Sequence, residues 1–212
     1  MIPIHIGYDD REAPGFPVLC HSILSRTREA VNFIPIRGNE VVNGSTQFNA
    51  SRFNVALMQG YRGWALWMEC DMLCLADIAG LLEFRDSKYD VLVCQHDYRT
   101  KHPVKFLGQP NPDYPRKNWS SLMLVNCMGA WWQRISEEGW SLEDKHRFYQ
   151  ARVGSIPLEW NWLVGEYDYN PKAKLAHFTI GLPIWPEYAM CDYSEAWRSD
   201  RDEISGITHS ER

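Results

Sequence analysis

An α/β fold, with a mixed and mostly parallel sheet covered by helices on both faces, is predicted for this chain by three observations. Short β-branched or continuously apolar runs recur at residues 2–8, 31–36, 64–68 and 89–94. Stretches of helical spacing lie between them, and acidic residues follow directly after two of the runs. Strands that alternate with helices build parallel sheets, because each crossover helix covers one face of the sheet it connects.

Residues 2–8 (IPIHIGY) alternate and are β-branched, so they read as a first strand that stops at Asp9-Asp10. Phe16, Leu19, Cys20, Ile23 and Leu24 then repeat at helical spacing, and Pro14 and Pro17 place the helix start near residues 13–16. Residues 31–36 (VNFIPI) read as the second strand, followed by a polar, Gly- and Asn-containing loop over 37–47. A helix is expected over 51–60, ending at Gly60, and residues 64–68 (WALWM) form a buried strand that runs into Glu69-Cys70-Asp71. Residues 77–85 (DIAGLLEFR) have helical periodicity with an acidic start, and 89–94 (YDVLVC) read as another buried strand.

The stretch 95–117, rich in Pro, Lys, Tyr and Gly, is too long for a simple connector and is expected to be a functional loop. Residues 121–126 (SLMLVN) read as a further strand, and 130–150 as helical patches broken around Gly139. The polar residues 199–212 are expected to fray, which leaves one domain over 1–198 and a flexible tail.

A chain of 212 residues with 45% hydrophobic content buries one full core and is short for two. A formal charge of -5 provides no basic footprint for nucleic acid or anionic lipid. The six cysteines are scattered without a C-x-x-C pair, so buried free thiols in a reducing compartment are expected, and Cys70 and Cys74 alone are a weak zinc signal. Charge within the first ten residues argues against a signal peptide, and no apolar run reaches a membrane span, so a cytoplasmic, soluble protein is expected. The ten tryptophans are numerous; core packing accounts for most, and some suit stacking against sugar rings.

Glu69-Cys70-Asp71 is the strongest local chemical feature. Strand alternation points residues i and i+2 to one side, so both carboxylates can converge on a Mn2+ or Mg2+ ion holding a diphosphate. Asp9-Asp10 falls on the same carboxyl edge of the sheet, where open α/β sheets bind ligands.

Five stretches, in order over roughly residues 2–188, resemble the retaining glycosyltransferases of family 8, which have the Rossmann-like GT-A fold. These are residues 6–23 (IGYDDREAPGFPVLCHSI), Ser51-Arg52-Phe53, residues 64–75 (WALWMECDMLCL), residues 119–126 (WSSLMLVN), and residues 156–161 (IPLEWN) with the late element 177–185 (HFTIGLPIW). The resemblance implies that Gly7, Tyr8 and Asp9 lie along the nucleoside and that Arg52 reaches the diphosphate and donor sugar. It implies a metal held by Glu69, which replaces the first Asp of the family's D-x-D, by Asp71 and by His177.

The leading Asn of the fourth stretch is displaced to Asn118 or replaced by Trp119. The late element retains Gly181 but lacks the family's Lys, so Arg11, Lys101, Lys105, Arg116 or Lys117 is expected to supply the phosphate contact. The family's acceptor-side D-Q-D has no faithful copy; Glu143-Asp144-Lys145 occupies its neighbourhood and Glu159 is the other carboxylate, so Asp144 and Glu159 are the candidates there beside Arg52.

The implied activity is transfer of a hexose from a UDP-type nucleotide sugar to an acceptor hydroxyl. A saccharide is the first acceptor class, a protein or small molecule the second, and nucleic acid a minor one. Two alternatives stand beside it. One is an inactive sugar- or nucleotide-binding protein on the same fold; the other is a nucleotidyltransferase, which would normally carry a Gly-rich loop after the first strand.

Overall fold

A computed structural model of the chain describes residues 1–38 and 48–206. Most of the loop expected at 37–47 therefore lies outside the described residues, as do residues 207–212. The elements in chain order are β1 (Ile2–Tyr8), α1 (Gly15–Leu24), β2 (Val31–Arg37), α2 (Val55–Met58), β3 (Trp64–Glu69) and β4 (Met72–Cys74). Then come β5 (Val91–Cys94), a small hairpin of β6 (Val104–Lys105) and β7 (Gln109–Pro110), β8 (Leu122–Asn126), α3 (Ala130–Glu137) and α4 (Leu142–His146). β9 (Val153–Ile156), β10 (Trp162–Leu163), β11 (Leu175–His177) and α5 (Ser194–Ile204) complete the order.

The main sheet has the order β2-β1-β3-β8-β5-β9. β8 runs antiparallel to both its neighbours, and every other pair in the sheet is parallel. Strict alternation divides its side chains between two cores, as a sheet buried on both faces requires. Leu66, Met68, Leu92, Cys94, Leu122 and Leu124 face one side with Leu19 and Ile23 of α1. Ala65, Trp67, Val91, Val93, Met123 and Val125 face the other, with Val55 of α2 and with Trp131, Trp132 and Ile135 of α3. The expected α/β architecture is therefore present, with helices on both faces.

Three expectations need correction. Residues 51–54 and 78–84 are 3-10 turns rather than α-helix, and only Val55–Met58 closes as α. Glu69 and Asp71 do not converge by strand alternation, because Glu69 ends β3 and Asp71 lies in the turn that carries the chain into β4. The polar stretch from Ser199 is not frayed through its described part: α5 continues to Ile204.

Burial of opposite charge explains that last result. Asp200 is buried, accepting from Arg26 Nη2 at 3.0 Å and lying 2.8 Å from His21 Nδ1, so α5 is pinned to α1. Trp197 packs beside it with Val18 and Leu182. Asp200→Ala removes a buried partner of His21 in α1 and of Arg26 just after it, and is expected to cost roughly 2 kcal/mol, the scale of hydrogen bonds to charged groups. Urea denaturation checks this, and an unchanged midpoint would refute the pin.

β4 leaves the main sheet for a second sheet of order β10-β11-β4, in which β11 is antiparallel to β4. The Glu69-Cys70-Asp71 turn is therefore the crossing point between two sheets. All six cysteines are free thiols, four of them buried. Five of the ten tryptophans (Trp67, Trp131, Trp132, Trp160 and Trp197) are fully buried, and Trp64, Trp119, Trp140 and Trp185 pack partly buried against the cores, so core packing accounts for most of them. Among the described residues no helix is long and apolar enough to cross a membrane.

Candidate metal and nucleotide site

The register of β11 against β4 builds the site. His177 pairs with Met72, and the Phe178 N–H donates to the Asp71 carbonyl at 2.9 Å, so the end of β11 lies beside the crossing turn. β1 holds the other side, where the Cys70 N–H donates to Gly7 O at 3.1 Å. Glu69, Asp71 and His177 offer ligand atoms that all lie within 4.8 Å of one another, and neither Cys70 nor Cys74 belongs to the group.

The cluster's hydrogen bonding leaves room for an ion. His177 Nδ1 donates to Asn161 Oδ1 at 2.9 Å, and Asn161 is itself fixed by donating to Ser121 Oγ at 2.8 Å. An imidazole held by one nitrogen on an amide oxygen presents the other as a ligand, the usual arrangement around metal-binding histidines. His177 Nε2 and Asp71 Oδ1 are both buried without a hydrogen-bond partner. Two carboxylates and one imidazole suit Mn2+ well and Mg2+ less, since the latter prefers an all-oxygen set.

Arg52 closes the cluster. It is buried, and Nη1 lies 2.6 Å from Glu69 Oε1. Burial raises the Glu69 pKa, but Arg52 first and His177 second outweigh it and bring the carboxyl down to about 2. Burial works against the charged form of His177, yet Asp71 and Glu69 at 3.3 and 3.6 Å lift it to about 9. Two carboxylates thus face two cations, and the metal-free cluster is charge-balanced.

A pH dependence follows. The fold raises His177 above its ordinary 6.5, so in the metal-free protein its stabilising contribution is complete below that pH and is lost as pH rises through about 9. Metal must displace this proton. Mn2+ affinity is expected to fall about tenfold per pH unit from 9 toward 7, the slope for one competing proton. Titration calorimetry in buffers of different ionisation enthalpy measures it, and binding without proton release would contradict the assignment of His177.

The cluster opens on a cavity of about 140 Å³ lined also by Glu12, Asn49, Arg52, Lys105, Phe106, Asn118, Ser120, His146 and Thr179. Glu12 was not anticipated; it is buried with Oε1 unpartnered. Burial, with Asp71, Asp9 and Glu69 nearby, pushes its pKa well above the usual carboxylate range. Asn49, Ser120 and His146 were also missed, since no local pattern distinguishes them from loop residues.

The other expected residues divide. Asn118 lines the cavity, donating to Tyr98 Oη at 2.9 Å. Asp9 is buried at the end of β1 and pairs with Arg11 at 2.7 Å, and Tyr8 packs edge-on against Phe16. Gly7 and Gly181 have packing reasons for their size: a Cβ would meet the Phe48 ring at 2.6 Å in the first case and the Tyr188 ring at 2.5 Å in the second. Lys117 is spent inside its own loop, donating to Asn111 Oδ1 at 2.7 Å, and Lys105 is the lysine that lines the cavity. Asp144 is engaged with Ser141 at the start of α4, and Glu159 sits beside Lys174; neither lines the cavity.

No family model matches the chain. It is 34% identical over 224 residues to Protein CDI of Arabidopsis thaliana, covering 95% of this chain and 86% of that one. Among solved structures it is similar to the WbbM bifunctional glycosyltransferase, with TM-score 0.66, 15% identity and coverage of 99% of this chain and 52% of that one. It is similar to the glycosyltransferase GlyE of Streptococcus pneumoniae TIGR4, with TM-score 0.62, 9% identity and coverage of 95% and 61%. It is also similar to galactosyltransferase LgtC in complex with donor and acceptor sugar analogs, with TM-score 0.61, 10% identity and coverage of 100% and 98%. The chain thus spans about half of WbbM and nearly all of LgtC. At these identities the structures establish the fold, which is the GT-A fold of glycosyltransferases. The sequence relationship identifies the chain as a member of the family of Protein CDI of Arabidopsis thaliana.

Proposed function

We propose that the protein is a retaining glycosyltransferase, similar to family 8, that transfers a hexose from a UDP-type nucleotide sugar to an acceptor hydroxyl. The observation that carries this reading is the Glu69, Asp71 and His177 group, with Asp71 and His177 buried and Glu69 half-buried, beside buried Arg52. Glu69, Asp71 and His177 would hold Mn2+, which when bound supplies Lewis-acid neutralisation of the donor diphosphate.

The chain's own residues supply the rest. Arg52 and Lys105 place positive charge where the diphosphate departs, the main electrostatic demand of such a transfer. With a divalent ion in place and the His177 proton gone, the group of Glu69, Asp71, His177 and Arg52 would have net positive charge, which would favour an incoming diphosphate. The bond from the anomeric carbon to phosphate breaks as the bond to the acceptor oxygen forms on the same face. The acceptor proton passes to the departing phosphate, so no protein base is required.

The acceptor side of this reading is an adjoining cavity of about 320 Å³ that shares Asn49, Tyr114 and His146 with the first and adds Pro115, Glu143 and Arg147. An aromatic ring and a proline beside a carboxylate and a guanidinium suit a saccharide, which has apolar faces and hydroxyl edges. Assaying UDP release from common UDP-sugars with and without Mn2+ tests the reading. Metal-dependent release is expected, and no release from any donor overturns it in favour of an inactive binding protein.

A further inference from the structure

Arg52 is held by more than its partnership with Glu69. Its Nε donates to the Asn49 carbonyl at 3.1 Å, and Nη1 donates to Ser120 Oγ at 3.2 Å and to the Ser120 carbonyl at 3.0 Å. Ser120 Oγ lies 3.0 Å from His146 Nδ1, and His146 Nε2 lies 2.7 Å from Asn49 Oδ1.

These contacts have one consistent proton assignment. Asn49 Oδ1 can only accept, so His146 Nε2 carries the hydrogen and Nδ1 has a lone pair. The Ser120 hydroxyl then donates to Nδ1, and its oxygen accepts from Arg52. Arg52, Ser120, His146 and Asn49 form a closed ring in which each donor meets an acceptor. The imidazole ring is further fixed edge-on against Phe53, with centroids 5.0 Å apart.

We propose that His146 is a positioning residue for Arg52, aiming its guanidinium into the cavity through Ser120 and Asn49. The proposal rests on the donor reading above in one respect, that Arg52 meets an anionic ligand. Without His146 the Ser120 hydroxyl is free to turn away from Nη1; the guanidinium keeps Glu69, the two backbone carbonyls and the faces of Phe48 and Trp67, and loses the side-chain hydrogen bond that ties Nη1 to the ring. With the ring, the plane of the group is fixed at Nε and Nη1, and Nη2 has no partner among the described residues. The N–H groups of Nη2 are then the ones left for a phosphate oxygen, in a direction set beforehand. No local signal in the sequence leads to this role, because the four residues come from the segment around 49–52, the loop before β8, and α4.

Two measurements test the ring. Binding of inorganic pyrophosphate and of UDP with Mn2+, by calorimetry, reads the aim of Arg52. His146→Ala is expected to weaken both about tenfold, corresponding to about 1.4 kcal/mol. His146→Asn, which keeps an acceptor near the Nδ1 position, is expected to recover most of that loss, whereas a merely structural role would not select between variants in this way. Ser120→Ala is expected to weaken binding similarly and to add nothing in the His146→Ala background, because both break one chain. Additive effects, or wild-type affinity in His146→Ala, overturn the proposal. Should His146→Ala fail to fold, Ser120→Ala alone and His146→Asn carry the same comparison.

The second measurement needs no ligand. Nitrogen-15 spectra of the histidines at pH 7 are expected to show His146 as the neutral Nε2–H tautomer with a hydrogen-bonded Nδ1, and an Nδ1–H or doubly protonated ring refutes the proposed ring. If neither pyrophosphate nor UDP binds the wild type, the donor reading fails, and the spectra still decide whether the ring exists.

Discussion

Mn2+ is expected to raise the melting temperature of the wild type, and Asp71→Ala is expected to abolish that rise. Asp71 lies at the centre of the cluster, with Oδ2 at 3.3 Å from His177 Nε2 and Oδ1 buried without a partner. A ligand at about 100 times its dissociation constant stabilises the native state by about 2.7 kcal/mol. For a chain of this size that is a rise of roughly 5–10 °C, at about 2–4 °C per kcal/mol. Removing the carboxylate leaves one imidazole and one carboxylate, too few ligands to hold the ion against water. Metal-dependent donor cleavage is expected to fall at least about 100-fold, the upper scale for changes in groups that merely support a ligand. Differential scanning fluorimetry with and without Mn2+ reads the first effect and UDP release the second. A full Mn2+ shift in Asp71→Ala would move the metal elsewhere.

Arg52→Ala is expected to be the most damaging single change at the site. Glu69 lies largely buried beside it, and removing one member of a buried pair costs about 3–5 kcal/mol. His177 remains 3.6 Å from Glu69, which places the loss near the lower end, about 3 kcal/mol. The indole and phenyl faces of Trp67 and Phe48, over which the guanidinium sits at 5.6 and 5.3 Å, lose their cation at the same time. Mn2+ is expected to restore part of the stability, because an ion held by this group would neutralise Glu69 directly, without restoring pyrophosphate binding. Urea denaturation in the presence and absence of Mn2+ measures the first outcome and calorimetry the second. An Arg52→Ala protein as stable as the wild type would show that Glu69 does not depend on its partner.

These two residues also show how much of the site was legible in order along the chain. Asp71 follows an apolar strand, and any carboxylate at that edge is a metal candidate by position alone. Arg52 and His177 stood out through the resemblance to a known family, and the structure brings both to Asp71 and Glu69. Lys117 and Asp144 are expected only from nearby charge and position, where the family's late Lys and D-Q-D have no copy. They are turned to neighbouring polar groups in their own segments, which neighbours in sequence satisfy more readily than a distant site does.

The strand runs were legible because burial on both faces demands uninterrupted apolar residues, and the runs at 2–8, 31–36, 64–68, 89–94 and 121–126 all fall in strands of the main sheet. Helix type was less so. The segments 51–54 and 78–84 have helical spacing but settle as 3-10 turns, each too short to propagate as α-helix. Charge pattern alone was misleading at the C-terminal end, where Asp200 is polar in sequence but buried against Arg26 and His21 from far along the chain.

By itself, then, the sequence determined the α/β order of elements, the free thiols, and a carboxylate edge suited to a divalent ion. Those properties depend on periodicity and on residue type within a few positions. Only the tertiary structure decided that Glu69 and Asp71 meet through a turn between two sheets, that Glu12 is enclosed beside them, and that His146, Ser120 and Asn49 close on Arg52. Each of those outcomes depends on strand register and on contacts between residues tens of positions apart, which local pattern does not encode.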